Sequence, residues 1–227
     1  EGIVSDIVVS DAFGVDRMDY LLRDAHHAGV AYGRFDHHRL IDTLRILEPP
    51  QSPGGTKSNE PTLGLEEGGL HTAEALLLAR YFMYTQVFFH PVRRIYDRHL
   101  QDFLMEYLDE GVFPTEVSDF LSVTDNEINV DLRESLNDQH GERAHELAER
   151  ILRRKHFRPV YERHPQDIRK NRNAVEVICQ RTKDKFGPDY VRKDEYREKG
   201  GPPDFPVKRR DDRVVSSLNL SDTLQDL

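Results

Sequence analysis

The chain has 227 residues, 37% of them hydrophobic and 32% charged, and a formal net charge of −9. No apolar run approaches the roughly 18 residues that cross a bilayer, and the opening residues do not read as a leader, so no membrane partner is expected and the cytoplasm is the expected compartment. A single cysteine, Cys179, excludes an intrachain disulfide framework and an all-cysteine metal site, and 41 acids against 32 bases make nucleic acid a poor partner, though a local basic pocket can still hold phosphate.

The chain opens at Glu1 inside an apolar stretch (Ile3, Val4, Ile7, Val8, Val9), so its natural start is expected upstream. Residues 1–14 read as short and mixed. From Val15 to His27 the pattern is helical, with Met18, Leu21, Leu22 and Ala25 on one side and Gly29 as the stop. Asp36 at an N-cap position, followed by Leu40, Ile41, Leu44 and Leu47, predicts a second helix that Pro49-Pro50 ends. Residues 48–69 read as loop, with a candidate strand at Thr62-Leu63-Gly64-Leu65. Two longer helices follow, over 70–89 and 91–109, the second with Pro91 at its first position.

After Gly111 the elements become short and highly charged. Helices are expected near 126–136, 142–155 and 166–186, a candidate strand at 157–161, and short strands at 206–208 and 214–215. The basic cluster from Arg150 to Lys155 reads as a solvated helix end. The expected fold is mainly α, divided near residue 110 into a helical part, 1–110, and a smaller α+β region, 111–227.

The chemistry concentrates at the first long helix. Positions 16, 20, 23, 24 and 27 share a face, which carries Asp16, Tyr20, Arg23, Asp24 and His27 opposite the leucines. Carboxylates, a phenol, a guanidinium and an imidazole within three turns are metal ligands, proton carriers and phosphate donors. A second signal is Arg80, inside the apolar stripe of Ala73, Leu76, Leu77, Tyr84 and Val87. A guanidinium in such a stripe needs an anion, either a core carboxylate or a bound phosphate.

The segment Val15-Asp16-Arg17-Met18-Asp19-Tyr20-Leu21-Leu22-Arg23-Asp24-Ala25-His26-His27-Ala28-Gly29-Val30 resembles the last metal-ligand segment of the His-Asp (HD) domain phosphohydrolases. The similarity is to the branch that hydrolyses deoxynucleoside triphosphates to nucleoside and triphosphate. The later Ala79-Arg80-Tyr81-Phe82-Met83-Tyr84-Thr85-Gln86-Val87-Phe88-Phe89-His90-Pro91 resembles the same family in order and spacing. The resemblance implies that residues 1–110 are the C-terminal part of an HD-type helical core. It implies that Asp16 is the final metal ligand and that Arg17 contacts substrate phosphates. Tyr20 and Asp24 would line the sugar pocket, and Arg80 would grip the terminal phosphate. Phe88 stands where many members have a tyrosine against the sugar, so a hydroxyl is missing there. The family also implies a nucleotide substrate and a homo-oligomer.

The family's remaining ligands are an upstream His and an upstream His-Asp pair. The chain contains no His-Asp dipeptide, and all eleven histidines follow Asp16. One carboxylate does not hold a divalent ion that takes three or four protein ligands. The divalent metal is therefore expected in the complete protein and not tightly bound by this chain alone, which is assigned no catalytic residue of its own. The other reading is a non-catalytic nucleotide-binding or assembly subunit of the same fold. Elemental analysis of the purified chain is expected to find no stoichiometric metal. One iron, manganese or zinc per chain would contradict this.

Overall fold

The computed structural model describes residues 2–10, 12–48, 60–137, 141–195 and 204–227. In chain order the elements are α1 (Gly2–Val9), α2 (Val15–Ala28), α3 (His37–Thr43), β1 (Leu44–Leu47), β2 (Thr62–Glu66) and α4 (Leu70–Met83). A π-helical turn, Tyr84–Phe88, extends α4. Then come α5 (Pro91–Tyr107), α6 (Val117–Ser122), α7 (Asp125–Ser135), α8 (Glu142–Leu152), α9 (Pro165–Lys170) and α10 (Ala174–Phe186). The tail adds β3 (Pro206–Lys208), β4 (Val214–Ser216) and α11 (Asp222–Gln225). The fold is mainly α with one small sheet.

The chain forms two compact units, Glu1–Phe88 with Arg197–Leu227, and Phe89–Tyr196. The change of composition at Gly111 falls inside the second unit. In the first unit the strands lie in the order β1-β2-β3-β4. β1 runs antiparallel to β2, with Leu44 opposite Leu65 and Leu47 opposite Thr62. β2 and β3 are parallel, Leu65 opposite Val207, and β4 returns antiparallel to β3. Gly64 is required by this pairing: a Cβ there would lie 2.3 Å from the Pro206 carbonyl oxygen. The core joins Phe13, Met18, Leu21 and Ala25 to Leu65, Leu76, Leu77, Met83, Val207 and Leu224.

Several expectations are corrected. The helix expected from Asp36 to Pro49 stops at Thr43, and β1 follows; Pro49-Pro50, like all of 49–59, lies outside the described residues. Thr43 Oγ1 donates back to the Leu40 carbonyl at 2.9 Å, and Leu44 turns extended at ψ 138°. Pairing with β2 overrides the helical leucine spacing; in the strand Leu44 and Leu47 fall on opposite faces, each half-buried. Residues 2–9 are helical, not mixed, because Ile3 packs on the core. The single helix expected over 166–186 is two, because the Asn171 Oδ1 accepts from the Asn173 N–H at 3.0 Å and holds a turn between α9 and α10.

In the second unit α5 packs on α8, and α8 on α7, around Phe103, Leu132, Ala144, Leu147 and Ala148. Residues 157–161 are not a strand. Phe157 N–H donates instead to His99 Nε2 at 3.2 Å. Arg150 is not solvated either: it is 3% exposed, with its guanidinium over the Phe157 ring at 4.6 Å and an ion pair to Glu146. Arg153, Arg154 and Lys155 are the exposed members of that cluster, and Arg153 and Lys155 pair with Glu149.

His99 is fully buried. Burial, reinforced by the Arg150 charge, pushes its pKa down to about 4. Folded His99 stays neutral while the unfolded chain takes up a proton from its ordinary value of 6.5 downward. This group therefore costs no stability above about pH 6.5, removes about 1.4 kcal/mol per pH unit between there and pH 4, and levels off below. Urea titrations of the wild type and His99→Gln across pH 4–7 check this; the two slopes should differ over that window.

Candidate functional site

The site is built on the start of α2 and the end of α4. α2 buries Met18, Leu21 and Ala25 against α4, which buries Leu76, Leu77 and Met83. This leaves the polar residues between them at the margin of the core, half-buried.

Gly14 precedes α2, and a Cβ there would meet Asp16 Oδ1 at 2.6 Å and the Ser10 backbone N and O at 2.9 Å. The missing side chain lets the Asp16 carboxylate fold back over the helix start. There Asp16 Oδ1 accepts the Arg17 N–H at 2.7 Å, in the electropositive first turn. Asp16 itself is exposed.

One turn on, the Tyr20 hydroxyl stands 3.4 Å from the Tyr84 hydroxyl. Phe88 meets both rings edge-on, with centroids 5.9 Å from Tyr20 and 5.2 Å from Tyr84. The Arg80 guanidinium lies 5.6 Å from the Tyr84 ring centre. Burial raises the Tyr20 phenol above its ordinary pKa, and the contact with Tyr84 adds to the rise; the charges of Arg17 and Arg80 pull the other way. Both guanidiniums therefore act on one phenol, which stays protonated.

The π-helical turn helps to make this row. Four residues of α-helix overshoot a full revolution by about 40°. The wider turn over Tyr84–Phe88 rotates less per residue and offsets that overshoot. Arg80, Tyr84 and Phe88 thus share one face.

The structure brings Arg17, Tyr20, Arg80 and Phe88 together, with Asp16 beside Arg17 at the helix start. Asp24 lies one turn beyond Tyr20, half-buried on α2. Arg23 turns away and pairs with exposed Asp19. Tyr84 is the member that the apolar-stripe reading missed, and its i+4 spacing from both Arg80 and Phe88 was the available signal. Among the described residues no group of three or more His, Cys, Asp or Glu stands together as a metal site.

The model of the HD associated region matches residues 35–183. Over 87 residues the chain is 41% identical to the uncharacterized protein YwfO of Bacillus subtilis, covering 38% of this chain and 17% of that protein. Over 103 residues it is 36% identical to the uncharacterized protein MJ1154 of Methanocaldococcus jannaschii, covering 45% and 21%. A hypothetical protein from Aquifex aeolicus superposes with a TM-score of 0.78 at 33% identity, over 99% of this chain and 53% of its own. A phosphohydrolase from Bacteroides thetaiotaomicron superposes with a TM-score of 0.63 at 19% identity, over 97% and 59%, a likeness of fold. The chain thus spans just over half the length of these solved structures, and its matched segment about a fifth of the curated relatives.

Gly14→Ala is expected to displace the Asp16 carboxylate and to cost about 1–3 kcal/mol, the range for forcing a methyl into occupied space. A thermal melt of the variant beside the wild type measures this. An unchanged melting temperature would show that the helix start is looser than described.

Proposed function

The chain belongs to the HD-associated-region family, and on that footing we propose that it forms the phosphate- and sugar-facing wall of a phosphohydrolase site. The observation that carries this reading is the Tyr20–Tyr84 hydroxyl pair, with the Arg80 guanidinium 5.6 Å from the Tyr84 ring centre and the charges of both Arg17 and Arg80 acting on the Tyr20 phenol. Two fixed positive charges at the edge of an apolar core suit a polyanionic ester. The proposed substrate is a deoxynucleoside triphosphate, cleaved to nucleoside and triphosphate.

In this reading Arg17 and Arg80 bind the phosphate oxygens and neutralise the charge that grows on them as the ester bond breaks. Tyr20, kept protonated by burial, donates its O–H to an anionic oxygen or to the sugar hydroxyl near it. Asp24 accepts from the sugar. Phe88 offers an apolar edge to the sugar ring and no hydrogen bond, so discrimination by a hydroxyl at that place is absent. Asp16 is a single carboxylate, and a divalent ion takes three or four protein ligands. The described residues therefore do not fit a complete metal site. In the complete protein Asp16 would supply one ligand, and the others would come from outside this chain.

Arg80→Ala in the complete protein is expected to cost about 2–5 kcal/mol of transition-state stabilisation toward a nucleoside triphosphate, through loss of a charge-assisted phosphate contact. Arg80→Lys should recover only part, because it lacks the planar fork. Melting temperature and turnover are measured on the same samples. A folded Arg80→Ala protein with wild-type turnover would overturn the reading, and so would a variant that unfolds while its folded fraction keeps full activity.

A further inference from the structure

The second unit holds a cavity of about 480 Å³, and the described residues that line it all belong to that unit. That volume lies within the range of small-molecule sites. Ile95, Phe157, Val175, Ile178 and Cys179 contribute an apolar lining between α5, α10 and the extended run after residue 156. Cys179 is half-buried and lines this space.

The charged walls are mostly satisfied internally. Asp194 accepts from Arg94 Nε at 2.8 Å and Nη2 at 2.6 Å, and also holds Arg98. Lys193 bridges Glu176 and Glu195 at 2.8 and 3.1 Å. These pairs fix the walls and consume the acids. Arg158 and Arg163 also line the cavity, and among the described residues neither has a hydrogen-bond or ion-pair partner. Glu162 is the one lining carboxylate in the same condition. The uncommitted charge at the mouth is therefore two guanidiniums against one carboxylate.

An apolar floor calls for a carbon skeleton, and an excess of guanidinium at the mouth calls for an anionic head. We propose that this cavity is a second ligand site, separate from the site on α2 and α4, and that it binds a small organic anion with an apolar body. The body lies on Ile95, Phe157, Val175 and Ile178, and the anionic head meets Arg158 and Arg163. Cys179 is then shielded whenever the site is filled. Nothing in this assignment depends on the hydrolytic reading of the first unit.

The test uses 8-anilinonaphthalene-1-sulfonate, an aromatic sulfonate, as the probe on the complete protein. Binding is followed by fluorescence, and alkylation of Cys179 by iodoacetamide is followed by peptide mass spectrometry. Saturable binding that slows Cys179 alkylation about tenfold is the expected result, since occupied protein is protected in proportion to its share. The double variant Arg158→Glu with Arg163→Glu should bind the probe roughly a hundredfold more weakly, the effect of two lost charge-assisted contacts. Probe binding that leaves the Cys179 rate unchanged would place the probe elsewhere on the protein and overturn the proposal. A folded double variant that binds and protects like the wild type would overturn it as well. The protection measurement on the wild type stands whether or not the double variant folds.

Discussion

The pairing of β2 with β3 is the constraint on which the first unit depends. Leu65 and Val207 face each other across it, both fully buried, although the whole second unit lies between them in the sequence. The contact is close enough that Gly64 has no room for a methyl group against Pro206. Through it Phe205, Val207 and Leu224 enter the same core as the buried faces of α2 and α4. The tail is therefore part of the framework that holds the candidate site, not an appendage to it.

That framework explains why the site is half-buried rather than open. α2 and α4 each give their leucines to the core, and the residues left at their shared margin are Tyr20, Arg17, Arg80 and Tyr84. At a margin, apolar neighbours keep the Tyr20 phenol protonated, while Arg17 and Arg80 stay half-buried beside it. A deeper position would cost too much desolvation for two cations, and a shallower one would screen them. The geometry suits charges that must meet a mobile anion.

The helical character, the first helix and its polar face were legible because they rest on local periodicity and on residue types that share a turn. Arg80 was legible as a cation in an apolar stripe. What escaped the sequence was non-local. β1 looked like the end of a helix because leucines three apart share a helical face and fall on opposite faces of a strand; the distant β2 overrides that signal. Arg150 looked like one more charge in a basic run; the Phe157 ring that receives it is set by tertiary packing. Tyr84 was counted as core because a tyrosine in an apolar stripe shows its ring in the pattern and not its hydroxyl. The π-helical turn that aligns it with Phe88 leaves no mark in the residue spacing.

The long separation between β2 and β3 also has a consequence in time. A chain emerging from the ribosome exposes Leu63 and Leu65 well before Phe205 and Val207 exist. At synthesis rates of roughly 5–20 residues per second the delay is on the order of ten seconds. The interval is long beside the microseconds in which a helix or hairpin forms. During it the second unit can fold, because its core takes nothing from the tail, while α2 and α4 still lack the part of their core that Phe205, Val207 and Leu224 supply. The sheet closes last, and until then the edge of β2 that β3 will cover is an open strand, available to any other chain that offers a partner.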